Sequence, residues 1–218
     1  MAVNSNAGSP PSGAARVRGG RREEIVAAAA GLFARRGFHG VSIDDIGAAA
    51  GMSGPGIYRH FPGKESVLSE MLLGISGRLL EEGSRRAIDA PDAPAALDAL
   101  LRWHVEFALS QPDLITVHTR ELDNVPEPAR RQIRRLQRLY VEEWVTVLSE
   151  LFPLAQQARL RTAVHATFGL LNSTPHSAVE LPAQSVSELL FTMARSALFA
   201  AGDVDSPHAA APTSSLSA

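Results

Sequence analysis

The sequence contains no cysteine in its 218 residues and no apolar run long enough to cross a bilayer. The absence of cysteine excludes disulfides, thiolate nucleophiles and cysteine-ligated zinc. The longest nearly apolar run, residues 25–34, is rich in alanine and is much shorter than a membrane span. Residues 1–20 also lack the apolar segment of a signal peptide. We therefore predict a cytoplasmic protein that does not bind a membrane.

The common sequence motifs of catalysis are also missing. No nucleophile elbow, zinc-protease helix or phosphate-binding loop is present. The three histidines at positions 104, 118 and 165 do not have the helical spacing of a metal-binding pair. We therefore predict that the protein is not an enzyme and uses no metal or cofactor.

Charge is small overall but unevenly distributed. The chain has 21 Lys and Arg against 23 Asp and Glu, a net charge of −2. Residues 1–68 contain eight basic and five acidic side chains, whereas the remainder contains 13 and 18. A basic segment joined to an acidic remainder is typical of a protein that places one part of its surface on nucleic acid.

Two short helices joined by a tight turn are predicted between residues 42 and 61. Ser42 is a good N-cap, and Asp45 completes a capping box. Gly51 stands where a left-handed C-cap is expected. Ser53 is predicted to cap the second helix, which has Pro55 in its first turn. This order of signals is typical of a helix-turn-helix.

A first helix is predicted before these two, over about residues 21–36. Gly37 is expected to be its C-cap. The residues predicted to face inward are Ile25, Ala29, Leu32 and Phe33.

Side-chain directions on the second helix indicate which surface would meet DNA. At about 100° per residue, Ile57 and Phe61 share one side and must be buried, whereas Arg59 points away from them. Tyr58 and His60 lie on the two flanks. In a major groove, Arg59 would therefore face base edges, and the two flanking rings would face the sugar-phosphate walls.

Gly54 and Gly56 give the second helix no side chains at its start, so its backbone could come close to DNA.

Lys64 begins the next predicted helix. A cation at a helix N-terminus opposes the helix dipole, so helix stability does not explain Lys64. We expect a DNA phosphate to be its partner.

The segment GMSGPGIYRHFPGKESVL, residues 51–68, resembles the DNA-binding signature of TetR-type repressors. The resemblance covers about residues 21–72. It implies an all-α protein with a three-helix, helix-turn-helix N-terminal domain and a helical, ligand-binding and dimerising C-terminal domain. It also implies phosphate contacts from Ser42, Ser53, Tyr58, His60 and Lys64, and base-side contacts from Gly54, Pro55, Gly56 and Arg59. The residue at position 54 is often longer and polar in this family, so Gly54 departs from the family pattern.

Composition places the domain boundaries. Residues 1–20 are predicted to be a disordered basic arm, residues 21–66 the DNA-binding domain, residues 67–201 the effector-binding and dimerisation domain, and residues 202–218 a disordered tail. The arginines that end the arm, among them Arg18, have two interpretations. They are a solubilising leader or an arm that enters a minor groove.

Two further features of the predicted helices leave alternatives open. Gly74 and Gly77 interrupt the helix that begins at Lys64, either because another helix packs closely there or because the helix is a soft lever. The arginines of residues 130–138 either pair with Glu142, Glu143 and neighbouring acids or bind the phosphates of a nucleotide-bearing ligand.

The last two predicted helices, residues 155–172 and 183–201, have broad apolar surfaces and few charges. Such helices need a partner beyond their own domain, and a twofold four-helix interface between two copies of the chain is the simplest one. We therefore predict a homodimer, which the family resemblance also implies.

Bulky or polar residues interrupt the apolar stripes of the C-terminal helices and favour a pocket for a largely apolar effector. The candidate effector-binding residues are Trp103, His104, Phe107, His118, Tyr140, Trp144, Phe168 and Asn172. Residues 120–144 are also similar to actinobacterial regulators of fatty-acid or acyl-thioester metabolism, which implies an acyl-CoA or lipid-like effector.

The function predicted from these patterns is that of a homodimeric repressor. It would bind a pseudo-palindromic operator in double-stranded DNA through residues 53–61 and be released by the effector. The alternative is a DNA-binding dimer without a small-molecule effector, of nucleoid type or regulated by a protein.

Overall fold

The computed structural model describes residues 13–174 and 181–202, and the side chains of residues 13–19 lie outside this description. Within these ranges the chain is helical and has no strand, which confirms the all-α prediction. No helix in the described ranges is long and apolar enough to cross a membrane. The helices are α1 (Gly13–Arg36), α2 (Ile43–Ala49), α3 (Gly54–Ile57), α4 (Lys64–Ile88), α5 (Ala93–Ser110), α6 (Pro112–Arg120), α7 (Ala129–Leu151), α8 (Gln157–Leu171) and α9 (Ala183–Gly202).

The chain divides into two compact units. Unit 1 comprises Met1–Gly77 and Gln111–Arg135, and unit 2 comprises Arg78–Ser110 and Leu136–Ala218. The predicted boundary between residues 66 and 67 falls inside α4, whose first turns carry Val67, Leu68, Met71 and Leu72 into the core of unit 1. The long α4 and α7 each contribute to both units.

In unit 1, α1 packs against α2 and α6, and α2 packs against α3. The residues of α1 predicted to face inward, Ile25, Ala29, Leu32 and Phe33, are buried. The predicted capping box of α2 is present, because the Ser42 side chain accepts from the Asp45 N–H at 3.0 Å and the Asp45 carboxylate accepts from the Ser42 N–H at 2.9 Å. Gly37 and Gly51 both have positive φ, as predicted for helix C-caps.

Two predicted helix bounds differ from the structure. The first helix begins at Gly13 rather than at Arg21, so residues 13–20 of the predicted arm are helical. Residues 53–61, called the recognition segment below, were expected to form one helix, but regular α-helix is confined to Gly54–Ile57 and continues as a turn. Two glycines in a single turn explain the short helix, since each costs about 1 kcal/mol relative to alanine.

In unit 2, α8 packs against α9, and both pack against α5. Its buried side chains come from apolar stripes on every helix, including Leu97, Leu100, Leu148, Leu160 and Leu198. Gly83 of α4 permits a close approach, because a Cβ there would stand 2.7 Å from Cε2 of Tyr140. By contrast, a Cβ at Gly74 or Gly77 would meet no atom of the described residues within 4 Å, so the close-packing explanation of those two glycines is wrong.

Candidate nucleic-acid interface and core polar cluster

The recognition segment has one buried side and one exposed side. Ile57 and Phe61 are fully buried, whereas Tyr58 is 54% exposed and Arg59 is also exposed. The turn is closed by hydrogen bonds from the His60 and Phe61 N–H groups to the Ile57 carbonyl, at 2.9 and 3.0 Å. The predicted burial of Ile57 and Phe61 and the predicted exposure of Arg59 are therefore confirmed. The flanking directions of Tyr58 and His60 and the DNA contacts stay predictions.

Ser53 and Ser42, both predicted phosphate ligands, differ in how their hydroxyls are used. Ser53 occupies the N-cap position of α3 but makes no capping hydrogen bond, contrary to prediction, because the Gly-Pro-Gly turn that follows does not bring an N–H to it. The Ser42 hydroxyl donates to Asp45 at 2.7 Å. The hydrogen bonds from the Ser42 N–H and hydroxyl lower the pKa of Asp45. A phosphate at Ser42 would therefore have to replace this carboxylate at the hydroxyl.

A shallow hollow of about 570 Å³ brings three predicted phosphate ligands together. Ser42, Tyr58 and Lys64 line it, along with the acidic side chains Asp45 and Glu65. A hydroxyl, a phenol and an ammonium group around one surface depression can donate hydrogen bonds to an anionic oxygen. The hollow is therefore the candidate site for a DNA phosphate.

Lys64 has a structural role that the sequence did not reveal. Its Nζ donates to the carbonyls of Phe38 at 2.9 Å and Val41 at 2.8 Å, and it lies 4.4 Å from the centre of the Phe38 ring. Two backbone carbonyls thus account for the Lys64 cation, which the sequence argument had explained by a DNA phosphate. An ammonium group has three donors, so a phosphate contact by Lys64 stays a prediction.

Two further basic features of unit 1 were interpreted from sequence. The backbone of Arg18 belongs to α1, but its side chain lies outside the described residues. The arginines at the start of α7 pair with acids as expected, but the predicted partners are wrong. Arg130 and Arg131 contact Glu127, and Arg134 contacts Asp123. Acids just before the helix lie closer to its first turns than Glu142 and Glu143 do.

Five of the eight candidate effector residues come together in unit 2, and we call them the core polar cluster: His104, Tyr140, Trp144, Phe168 and Asn172. The rings of His104, Tyr140 and Phe168 are nearly parallel, with His104 and Phe168 centroids 4.7 Å apart. The Trp144 ring stands nearly perpendicular to all three. Helices α5, α7 and α8 therefore contribute to one aromatic stack.

Polar atoms of the core polar cluster face each other inside the stack. His104 Nδ1 lies 3.3 Å from the Tyr140 hydroxyl, and His104 Nε2 lies 3.1 Å from Oδ1 of Asn172. Burial raises the pKa of Tyr140. The Trp144 indole N–H has no acceptor of good geometry among the described residues, although the Tyr140 hydroxyl is close to it. The buried Thr167 hydroxyl also lacks a partner there.

The other three candidate effector residues lie elsewhere. Trp103 and Phe107 contact each other along α5, and the Trp103 indole donates to the Leu79 carbonyl at 3.4 Å. His118 lies on α6 in unit 1, where burial lowers its pKa to about 4. Sequence periodicity cannot separate these three from the core polar cluster, because that requires knowing which helices are neighbours.

Helices α8 and α9 each expose an uncharged stripe in addition to their buried stripes. On α9, Leu189 and Met193 are 50% and 47% exposed. The exposed positions at helical spacing are Thr162, His165, Ala166 and Gly169 on α8, and Leu189, Thr192, Met193, Ser196, Ala197 and Ala200 on α9. We call these positions the α8–α9 face.

The described residues contain no group of His, Asp or Glu side chains that could hold a metal ion.

Two family models match different parts of the chain. One, described as bacterial regulatory proteins of the tetR family, matches residues 25–71. The other, described as a tetracyclin repressor-like C-terminal domain, matches residues 90–176. The two ranges together span more than half of the chain.

Individual proteins give the same result. The HTH-type transcriptional repressor KstR2 of Rhodococcus jostii strain RHA1 is 29% identical over 140 residues, which are 64% of this chain and 69% of the relative. The crystal structure of a TetR-family transcriptional regulator from Bordetella parapertussis 12822 is similar with a TM-score of 0.72 and 25% identity, over 79% of this chain and 93% of that one. The fold is also shared with AibR, crystallised with isovaleryl coenzyme A and operator DNA, at a TM-score of 0.66 and 20% identity over 79% of this chain and 97% of AibR.

The matched family consists of regulatory proteins, which agrees with the prediction that the chain is not an enzyme. Its N-terminal model covers the recognition segment, and its C-terminal model covers most of the core polar cluster. The chain belongs to the tetR family of bacterial regulatory proteins.

Proposed function

We propose that this protein is a cytoplasmic, homodimeric transcriptional repressor. Each subunit would place its recognition segment in successive major grooves of a pseudo-palindromic operator. The observation that carries the proposal is the two-sided recognition segment, with Ile57 and Phe61 buried and Tyr58 and Arg59 exposed. The exposed guanidinium suits base edges, and the phenol suits a phosphate.

Phosphate contacts from Ser42, Ser53, Tyr58, His60 and Lys64 would fix the register of this surface on the duplex. The hollow lined by Ser42, Tyr58 and Lys64 supports three of these contacts. Gly54, Pro55 and Gly56 would bring the backbone close to the bases next to Arg59, and Arg18 would follow an adjacent minor groove.

Selection of binding sites from random double-stranded DNA tests this proposal, followed by fluorescence anisotropy with the selected and a scrambled duplex. We expect Arg59→Ala to reduce discrimination between the two duplexes by roughly 1 to 3 kcal/mol. Tyr58→Phe should weaken binding to both duplexes about equally and flatten the salt dependence, since it removes a phosphate contact. Recovery of no preferred sequence would favour the alternative of a nucleoid-type DNA-binding dimer.

We also propose that the core polar cluster forms part of a site for a small, largely apolar effector of the acyl-thioester class. Its stacked rings offer apolar surface. The Trp144 indole N–H, which has no acceptor of good geometry among the described residues, offers a hydrogen bond to a carbonyl. AibR, which shares this fold and was crystallised with isovaleryl coenzyme A and operator DNA, supports this class of effector. The effector must bind the DNA-incompetent state more tightly, and a tenfold preference corresponds to about 1.4 kcal/mol.

Thermal unfolding in the presence of isovaleryl-CoA, a long-chain acyl-CoA, coenzyme A and the free acids tests the effector site. We expect at least one thioester to raise the unfolding temperature and Trp144→Phe to reduce that rise. Trp103→Phe, outside the core polar cluster, is the matched control and should keep the rise. If neither the thioesters nor the free acids protect the protein, regulation without a small molecule becomes the better account.

A further inference from the structure

Arg22 of α1 makes contacts with the end of the recognition segment and with α4. Its Nε donates to Oε1 of Glu70 at 3.2 Å, and its Nη2 donates to Oε2 of the same carboxylate. Its Nη1 donates to the His60 carbonyl. The guanidinium also lies 4.2 Å from the centre of the buried Phe61 ring. One side chain therefore joins α1, α4 and the last two residues of the recognition segment.

This contact fits a need of the recognition segment. Its regular helix is only Gly54–Ile57, so few hydrogen bonds of its own fix its direction. A helical turn ends in carbonyls without an intrahelical donor, and a cation at that end satisfies them. Arg22 supplies such a cation at His60, and Glu70 holds the guanidinium in its planar, two-point geometry.

We propose that Arg22 and Glu70 are positioning residues for DNA reading, which set the direction in which the recognition segment presents Tyr58 and Arg59. The inference rests on the operator binding proposed above. In this role the guanidinium contacts the protein rather than a DNA phosphate. A planar fork is required for this role, so lysine cannot replace Arg22.

Lysine substitution separates the two roles, because Arg22→Lys keeps the charge and loses the fork. Dissociation constants for the selected operator and a scrambled duplex are measured at two salt concentrations for wild type, Arg22→Lys, Glu70→Gln and the double variant. Arg21→Lys is the matched control, since the neighbouring Arg21 pairs with Glu24 on the exposed side of α1. Urea unfolding of each variant reports whether the fold is retained.

We expect Arg22→Lys and Glu70→Gln each to reduce the operator-to-scrambled affinity ratio by about tenfold, a coupling typical of contacting residues. Affinity for the scrambled duplex and the salt dependence should stay at wild-type values. The affinity ratio of the double variant should be no lower than that of the single variant with the lower ratio, since both substitutions remove the same contact. Arg21→Lys should have the wild-type ratio.

A wild-type ratio for Arg22→Lys would overturn the positioning role. So would an equal loss of affinity for both duplexes, whether it comes with a shallower salt dependence, as a direct phosphate contact requires, or only with a loss of stability. If wild-type protein already fails to select any sequence, the proposed operator binding fails as well. That result is distinguishable because it appears before any variant is compared.

Discussion

At the scale of single residues, Arg22 and Lys64 make the same two kinds of contact within the helix-turn-helix unit. Each cation lies over a phenylalanine ring and donates to backbone carbonyls outside the regular helices. Short helices have few hydrogen bonds of their own, and these tertiary contacts compensate for that. Arg22 and Lys64 therefore stabilise unit 1 as well as giving it charge.

Replacement of Lys64 by methionine should destabilise the protein. The apolar stem is kept, but the Phe38 and Val41 carbonyls lose their donor, which should reduce the free energy of unfolding by roughly 1 to 3 kcal/mol. Urea denaturation measures this change, and Arg59→Ala on the exposed recognition surface is the control, expected within about 0.5 kcal/mol of wild type. Unchanged stability of Lys64→Met would show that its contacts to the two carbonyls do not matter.

His118 should make stability depend on pH. Burial lowers its pKa to about 4, so the imidazole stays neutral in the fold while the unfolded chain takes up a proton below about pH 6.5. The contribution of His118 to the free energy of unfolding should therefore be constant above pH 7. It should fall as the pH drops from 6.5 towards 4, by roughly 1 to 2 kcal/mol at pH 5. His118→Gln should remove this part of the pH dependence in urea titrations at pH 7.5 and 5. An identical pH dependence in the variant would contradict the shifted pKa.

At the scale of elements, α4 contains glycines of opposite character. A Cβ at Gly74 or Gly77 would meet no atom within 4 Å in the part of the chain that the structure describes, whereas one at Gly83 would press on the buried Tyr140 ring. Gly74 and Gly77 therefore weaken the helix without any packing benefit, which supports the interpretation of a soft lever. Gly83 is instead required for packing between α4 and α7.

Alanine at Gly74 and Gly77 should stabilise the protein, by about 1 kcal/mol at each position, because helix propensity rises without a clash. Gly83→Ala is the matched control and should destabilise by roughly 1 to 3 kcal/mol through overpacking. Urea denaturation compares the three. If α4 acts as a soft lever, the stabilised double variant should also need more effector for DNA release. Destabilisation at Gly74 or Gly77 would mean that another part of the molecule occupies that space.

Local sequence signals predicted the ends of several elements well. The Ser42 and Asp45 capping box and the C-caps at Gly37 and Gly51 appear as expected, because each depends on residues within one turn. The prediction of one helix over the whole recognition segment was wrong, because it relied on the spacing of the apolar residues and gave too little weight to the low helix propensity of Gly54 and Gly56. The packing of α6 on α1 was not predicted either, because the two helices are far apart in sequence.

The candidate sites show the same limit. Helical spacing placed Arg59 on the exposed side, Tyr58 on a flank, and the members of the core polar cluster on apolar stripes. It could not show that Lys64 and Arg22 contact carbonyls, or that His118 belongs to the unit of the helix-turn-helix, because these facts depend on neighbours distant in sequence.

At the scale of the whole molecule, the α8–α9 face is the candidate dimer interface. It combines small and apolar side chains with no Asp, Glu, Lys or Arg, a composition expected of the buried centre of an interface. A twofold axis through this face would give two recognition segments for one operator.

Met193→Arg should produce a monomer, because the substitution buries an unpaired charge in the proposed interface, at a cost of several kcal/mol. Leu154→Arg, at a residue that is 85% exposed outside α8 and α9, is the matched control and should stay dimeric. Analytical ultracentrifugation distinguishes the two. A dimeric Met193→Arg variant would place the interface elsewhere.

The most direct measurement is an anisotropy titration of the selected operator with wild-type protein, with and without the thioester that gives the largest thermal protection. We predict salt-dependent binding of two subunits per operator, much tighter than binding to a scrambled duplex, and release by the thioester but not by coenzyme A alone. Equal affinity for both duplexes, unaffected by any thioester, would contradict the account of a ligand-responsive repressor.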